Sequence, residues 1–180
     1  MKPASSRKPP ATCANSAHGH TRDCHSKSIL LVDDDPTVRN SLHDVLVAED
    51  YIVISAENGQ QALESANRMP VDLVLLDLNM PVKNGWDTFE QLTAGHPLIP
   101  IIIMTARPNQ LFTAVGAGAG ALLEKPLDIP SLLQTIGKLL AESSEKHLAR
   151  LAGAKTDFHY KSTMPGMNAV SRPIIFKKLE

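Results

Sequence analysis

The chain has 180 residues, 43% of them hydrophobic, enough for one substantial core, which four Phe, two Tyr and one Trp leave mainly aliphatic. No apolar run approaches the roughly 18 residues of a membrane span and the N-terminus lacks the apolar region of a secretory signal, so a cytoplasmic protein with no membrane partner is expected. The net charge of -1 hides an asymmetry: residues 1–27 carry five basic and one acidic side chain, 28–152 eight and sixteen, and 153–180 five and two, which argues against the acidic body gripping nucleic acid.

Residues 1–27 are rich in Ser, Lys, Pro and His without apolar periodicity and read as a disordered basic tail. Both cysteines fall there, so no disulfide framework staples the core. Cys13, His18, His20, Cys24 and His25 are residue types that suit zinc, but their spacing fits no established zinc motif, and the tail is read as unstructured. After residue 27 the pattern changes. Apolar runs suited to buried parallel strands occupy Ile29–Val32, Tyr51–Ser55, Leu73–Leu76, Pro100–Met104 and Ala121–Leu123, with helix-compatible segments between them. The first helix should be capped by Asp35, with Pro36 in its first turn and Val38, Leu42, Val45 and Leu46 on one face. In the last, Ile129, Leu132, Leu133, Ile136 and Leu140 follow an Asp128 cap, and His147, Leu148 and Leu151 could prolong the stripe to Gly153. Alternating strands and helices imply one α/β domain over 28–142 with a doubly wound parallel sheet, whose ligands sit at the carboxyl ends of the strands. Residues 143–180 then form a possible extension of the last helix followed by a flexible basic tail.

Read as one surface, those strand ends carry chemistry. The first ends in Asp33-Asp34, the third in Asp77, the fourth in Thr105 and the fifth in Lys125. Carboxylates a few ångströms apart resist ionising together unless a cation offsets their repulsion. Hard oxygen ligands in small number suit Mg²⁺, usually completed by water and phosphate oxygens, and the set contains no Cys or His to suggest zinc.

The separated elements "VDDDP", "LLDLNMPVKNGW", "IIIMTA" and "EKPL", in that order, resemble the response-regulator receiver domain of two-component phosphorelay signalling over about residues 28–142. The resemblance implies a five-stranded flavodoxin-like sheet of order 2-1-3-4-5. It further implies Asp77 as phosphoacceptor, Asp33, Asp34 and Asp77 as Mg²⁺ carboxylates, and Asn79 as a ligand through its backbone carbonyl. Thr105, Ala106 and Lys125 become phosphoryl contacts, and Leu122 stands at the switch position. The partners implied are a sensor histidine kinase or phosphotransfer protein and a downstream protein target. Such a protein is a switch and not an enzyme acting on other molecules.

The family usually carries Tyr or Phe three residues before the site lysine, where this chain has Leu122. The "VGAGAGA" stretch after the fourth helix is expected to be flexible, and the response to spread through Ala106–Gly120. Gly85 is expected to serve loop geometry through a positive φ. Residues 153–180 are too few for a usual DNA-binding output domain, although "RPIIFKK" could dock on another protein as a short peptide. Two rival readings are a phosphorylation-independent binding module and a Mg²⁺-dependent aspartyl-phosphate phosphatase. The latter commonly carries an acid/base Asp two residues after its nucleophile, where this chain has Asn79.

Overall fold

Alternation of buried apolar runs with amphipathic segments builds the chain from βα units. In the computed structural model, which describes residues 26–80, 85–107, 109–153 and 158–162, the elements are β1 (Ser28–Val32), α1 (Pro36–Ala48), β2 (Ile52–Ala56), α2 (Gly59–Arg68), β3 (Leu73–Asp77), α3 (Gly85–Gly95), β4 (Ile101–Thr105), α4 (Leu111–Gly116), β5 (Ala121–Glu124), α5 (Ile129–Leu140), α6 (Ser144–Leu151) and β6 (His159–Lys161). The strands form one parallel sheet of order β2-β1-β3-β4-β5-β6. β1, β3 and β4 are buried along their whole length, as central parallel strands with both faces covered must be.

Alternate residues of each strand feed two cores. Leu30, Val32, Val74, Leu76, Ile103 and Leu122 pack with Ala62, Phe89, Leu92 and Ala114 of α2, α3 and α4 on one face. Ile29, Leu31, Leu75, Met104 and Leu123 pack with Leu42 and Leu46 of α1 and Leu132 and Ile136 of α5 on the other. The flavodoxin-like, doubly wound class is therefore as expected. Asp35 caps α1, its Oδ1 accepting the backbone N–H of Thr37 at 2.7 Å and of Val38 at 3.4 Å. No described helix is long and apolar enough to cross a membrane.

The C-terminal third departs from expectation in three ways. The sheet has six strands, not five, because His159–Lys161 adds to the edge of β5. A strand of three half-buried residues with polar and basic neighbours carries too little apolar pattern to be recognised. Secondly, the apolar stripe through His147 and Leu151 does not prolong α5. That helix ends at Leu140, and Ser143 starts a new one by accepting the Lys146 backbone N–H at 3.3 Å. A buried ion pair between Arg150 and Glu142 ties α6 back to the end of α5.

Thirdly, the glycines after α4 are packed and not loose. Gly118, Ala119 and Gly120 are buried. At Gly118, φ is +79° and an added Cβ would lie 3.0 Å from the Cα of Leu151, so α6 rests directly on this backbone. Gly85 also differs: no left-handed φ is found there. Its Cβ would instead lie 2.5 Å from the Cα of Leu78 and 2.8 Å from the carbonyl oxygen of Asp77, so α3 starts against the end of β3 only because a side chain is missing. The Cys13–His25 set and the "RPIIFKK" stretch lie outside the described residues.

Candidate functional site

The carboxyl ends of β1, β3, β4 and β5 meet at one edge of the sheet, and their last residues make the site. Asp33 continues β1, its N–H bonding the Ala56 carbonyl of β2 at 3.2 Å. Its Oδ1 accepts the Asp35 N–H at 3.0 Å, so the residue that caps α1 also orients the carboxylate before it. Arg39, one turn into α1, donates from Nη1 to the Asp33 carbonyl at 2.7 Å and reaches Glu57 at 3.5 Å. The β1–α1 turn is thereby fastened from both sides.

Asp77 ends β3 almost fully buried, and its Oδ1 accepts the Asn79 N–H at 2.9 Å. Lys125 joins the two carboxylates, donating from Nζ to Asp33 Oδ2 at 2.8 Å and to Asp77 Oδ2 at 2.7 Å. Its own backbone N–H bonds the Thr105 carbonyl at 2.8 Å, so β4 fixes the base of the lysine. Asp34 points outward beside them and is exposed. The carboxylates of Asp33, Asp34 and Asp77 each offer an oxygen within 4.8 Å of the others.

Burial and charge act against each other at this site. Burial raises the Asp33 pKa, and the nearby charge of Asp77 adds to the rise. The ammonium of Lys125 and the Asp35 N–H lower it without cancelling the effect. For Lys125, burial favours the neutral amine, yet the hydrogen bonds it donates to both aspartates, together with their charges, outweigh it and hold its pKa above the ordinary value. The ammonium stays charged. Among the described residues three carboxylates face one ammonium, leaving a surplus of negative charge at a mouth open to solvent through Asp34. A small divalent cation bound by hard oxygens fits that donor set, and Asp33, Asp34 and Asp77 are placed so that they could hold one.

Thr105 is fully buried at the end of β4, with its Oγ1 accepting the Arg107 N–H at 2.9 Å. Ala106 follows it, exposed on the loop. Asn79 presents its main chain beside Asp77, while its side-chain Oδ1 is buried without a hydrogen-bond partner. Leu122 is not at the site mouth. It is buried in the core beside Ile103 and Ala114, with Leu111, Phe158 and Tyr160 packed on the same cluster. Sequence reasoning passed over Arg39, whose only signal was an Arg on the first turn and a half of the helix after the acidic motif. It also passed over Glu124, which accepts the hydroxyls of Tyr160 and Ser162.

The family model for the response regulator receiver domain matches residues 29–137. The transcriptional regulatory protein CpxR of Klebsiella pneumoniae is 39% identical over 132 residues, 71% of this chain and 56% of that protein. This chain thus spans just over half of that relative's length. Among solved structures, a CheY-like receiver domain protein from Methanospirillum hungatei superposes with a TM-score of 0.63 at 30% identity, covering 68% of this chain and 98% of that one. The response regulator TrrA of Thermotoga maritima, solved in complex with Mg²⁺ and BeF, gives 0.59 at 31% identity over 63% of this chain and 98% of its own. Joined to the strand-end carboxylates, the lysine and the parallel sheet, these matches establish that the chain belongs to the response regulator receiver domain family.

Proposed function

We propose that the chain is a phosphorylation-dependent switch whose acceptor is Asp77. The observation that carries this reading is the double hydrogen bond of Lys125 to Asp33 and Asp77, which places a permanent cation between an acceptor carboxylate and an acidic pair. An oxygen of Asp77 attacks phosphorus of a phosphohistidine on a histidine kinase or phosphotransfer protein. The new O–P bond forms as the P–N bond breaks, and the electron pair returns to the donor imidazole. Mg²⁺, when bound, supplies neutralising charge for the phosphoryl oxygens. Lys125 turns its ammonium from Asp33 to one of those oxygens, and the Thr105 hydroxyl turns from the Arg107 N–H to donate to another. Asn79 holds Asp77 by its backbone N–H and lends its carbonyl to the cation.

On this reading the chain acts in the cytoplasm, catalyses only its own phosphorylation and dephosphorylation, and changes its affinity for a downstream protein. The receiver span is 28–142, with α6 and β6 packed onto it from the C-terminal side. The intact acidic, hydroxyl and lysine set speaks against a binding module without chemistry, and the amide at position 79 speaks against a phosphatase of other substrates. Incubation with a small acyl-phosphate donor and Mg²⁺ tests the assignment. A base-labile adduct should form on Asp77 and disappear in Asp77→Asn. A stable adduct on Ser, Thr or His would contradict it.

A further inference from the structure

Residues 158–162 lie beyond the span that matches the family, yet a single residue joins them to the site. Tyr160 donates its phenolic O–H to Glu124 Oε1 at 2.7 Å, and Ser162 donates its hydroxyl to Glu124 Oε2 at 2.8 Å. Both oxygens of the carboxylate that ends β5 are therefore held by β6 and the residue after it. The next residue is Lys125, the cation that bridges Asp33 and Asp77. β6 pairs with β5 only from Ala121↔His159 to Leu123↔Lys161. So short an edge strand has little backbone pairing of its own, and its side-chain contacts, the two hydroxyl bonds to the Glu124 carboxylate and an exposed Lys161–Asp128 ion pair at 3.7 Å, carry a large share of its attachment. Its apolar contribution is Tyr160 with Phe158, packed against the cluster that holds Leu122.

We infer that the β5 edge is a surface whose resident occupant is this chain's own β6, a latch that fits the unmodified site and loosens when Asp77 carries a phosphoryl group. This rests on the reading of Asp77 given above. A phosphoryl group adds close to two negative charges at Asp77. Lys125 is pulled at both ends: its side chain leaves Asp33, and Thr105, whose carbonyl accepts the Lys125 backbone N–H, swings its hydroxyl toward the same group and draws on the backbone it shares with that bond. Glu124 shares a peptide bond with Lys125, so movement of that backbone strains its two hydroxyl bonds. β6 is the shortest strand in the sheet and yields first. Release uncovers the edge of β5 and the apolar side of Leu122.

Hydrogen exchange on the full chain in Mg²⁺, with and without beryllofluoride, tests the latch. Exchange in the peptide covering 158–162 should quicken at least about fivefold on beryllofluoride binding. Binding is reciprocal, so Tyr160→Phe combined with Ser162→Ala should bind beryllofluoride more tightly by up to the same factor. Glu124→Gln keeps the shape but not the charge and should show a smaller shift in the same direction. Unchanged or slower exchange at 158–162, while exchange around Asp77 and Lys125 responds, would overturn the latch and leave Asp77 as acceptor. Unaltered or weaker beryllofluoride affinity in the double variant would overturn it too. Wild-type protein that binds no beryllofluoride would instead remove the reading of Asp77 itself.

Discussion

Two clusters of buried charge in this molecule use the same few side-chain types to opposite ends. At the strand ends, among the described residues, Asp33 and Asp77 pair with the single cation Lys125 and Asp34 stands beside them. In the C-terminal flank, Arg150 donates to Glu142 Oε1 at 2.9 Å and to Nδ1 of His147 at 2.6 Å. A guanidinium can only donate, so Nδ1 accepts and the ring is neutral; burial first, then the charge of Arg150, lowers the His147 pKa. The flank cluster balances one positive against one negative charge and is sealed, with Arg150 and Glu142 side chains 4% and 7% exposed. The strand-end cluster is left negative and open. Burial of ions alone does not mark a site; uncompensated charge beside an opening does.

Removing the cation from each cluster sharpens that contrast. Arg150→Met should cost about 3 kcal/mol, because Glu142 is left buried and unpaired, and Mg²⁺ should not restore it. Urea unfolding with and without Mg²⁺ measures both. Lys125→Ala should cost less in metal-free protein, about 2 kcal/mol, since its ammonium is partly solvated, and here Mg²⁺ should offset most of the loss. Equal responses of the two variants to Mg²⁺ would erase the distinction between the clusters. Smaller still is Asp35→Ala, at about 1 kcal/mol from the lost cap of α1.

Titration gives the smallest effect. The folded pKa of His147 lies below its ordinary 6.5. Between the folded value and 6.5 the unfolded chain holds a proton that the native state does not, so stability is full above that window and falls as the pH drops through it. The difference in unfolding free energy between wild type and His147→Gln should therefore shrink by roughly 1 kcal/mol or less between about pH 7.5 and about pH 5.5. A difference independent of pH would mean that folding leaves the His147 pKa unchanged, and one that grows as the pH falls would mean that the ring is charged in the fold.

The strand-end cluster was legible in the sequence because it is written twice, as apolar runs that fix strand position and as polar residues ending each run. Asp33, Asp77, Thr105 and Lys125 needed only the rule that parallel strands present their carboxyl ends together. The flank was not legible. Ser143 breaks a stripe whose helical spacing reads as continuous, and nothing local in "HYKS" announces that its hydroxyls meet Glu124. Glycine content misled as well: at Gly118 and Gly85 a missing side chain admits a close neighbour, which composition reports as looseness. Long-range contact decides these features, and single-sequence pattern holds little of it.

The surplus charge of the strand-end cluster should make the fold respond to a divalent cation, which a Mg²⁺ titration of thermal stability measures. Wild-type protein should melt at rising temperature as Mg²⁺ enters the millimolar range, following the saturation expected for one site, while Asp34→Ala should respond weakly or not at all. A wild-type melt indifferent to Mg²⁺, or an equal rise in Asp34→Ala, would contradict it.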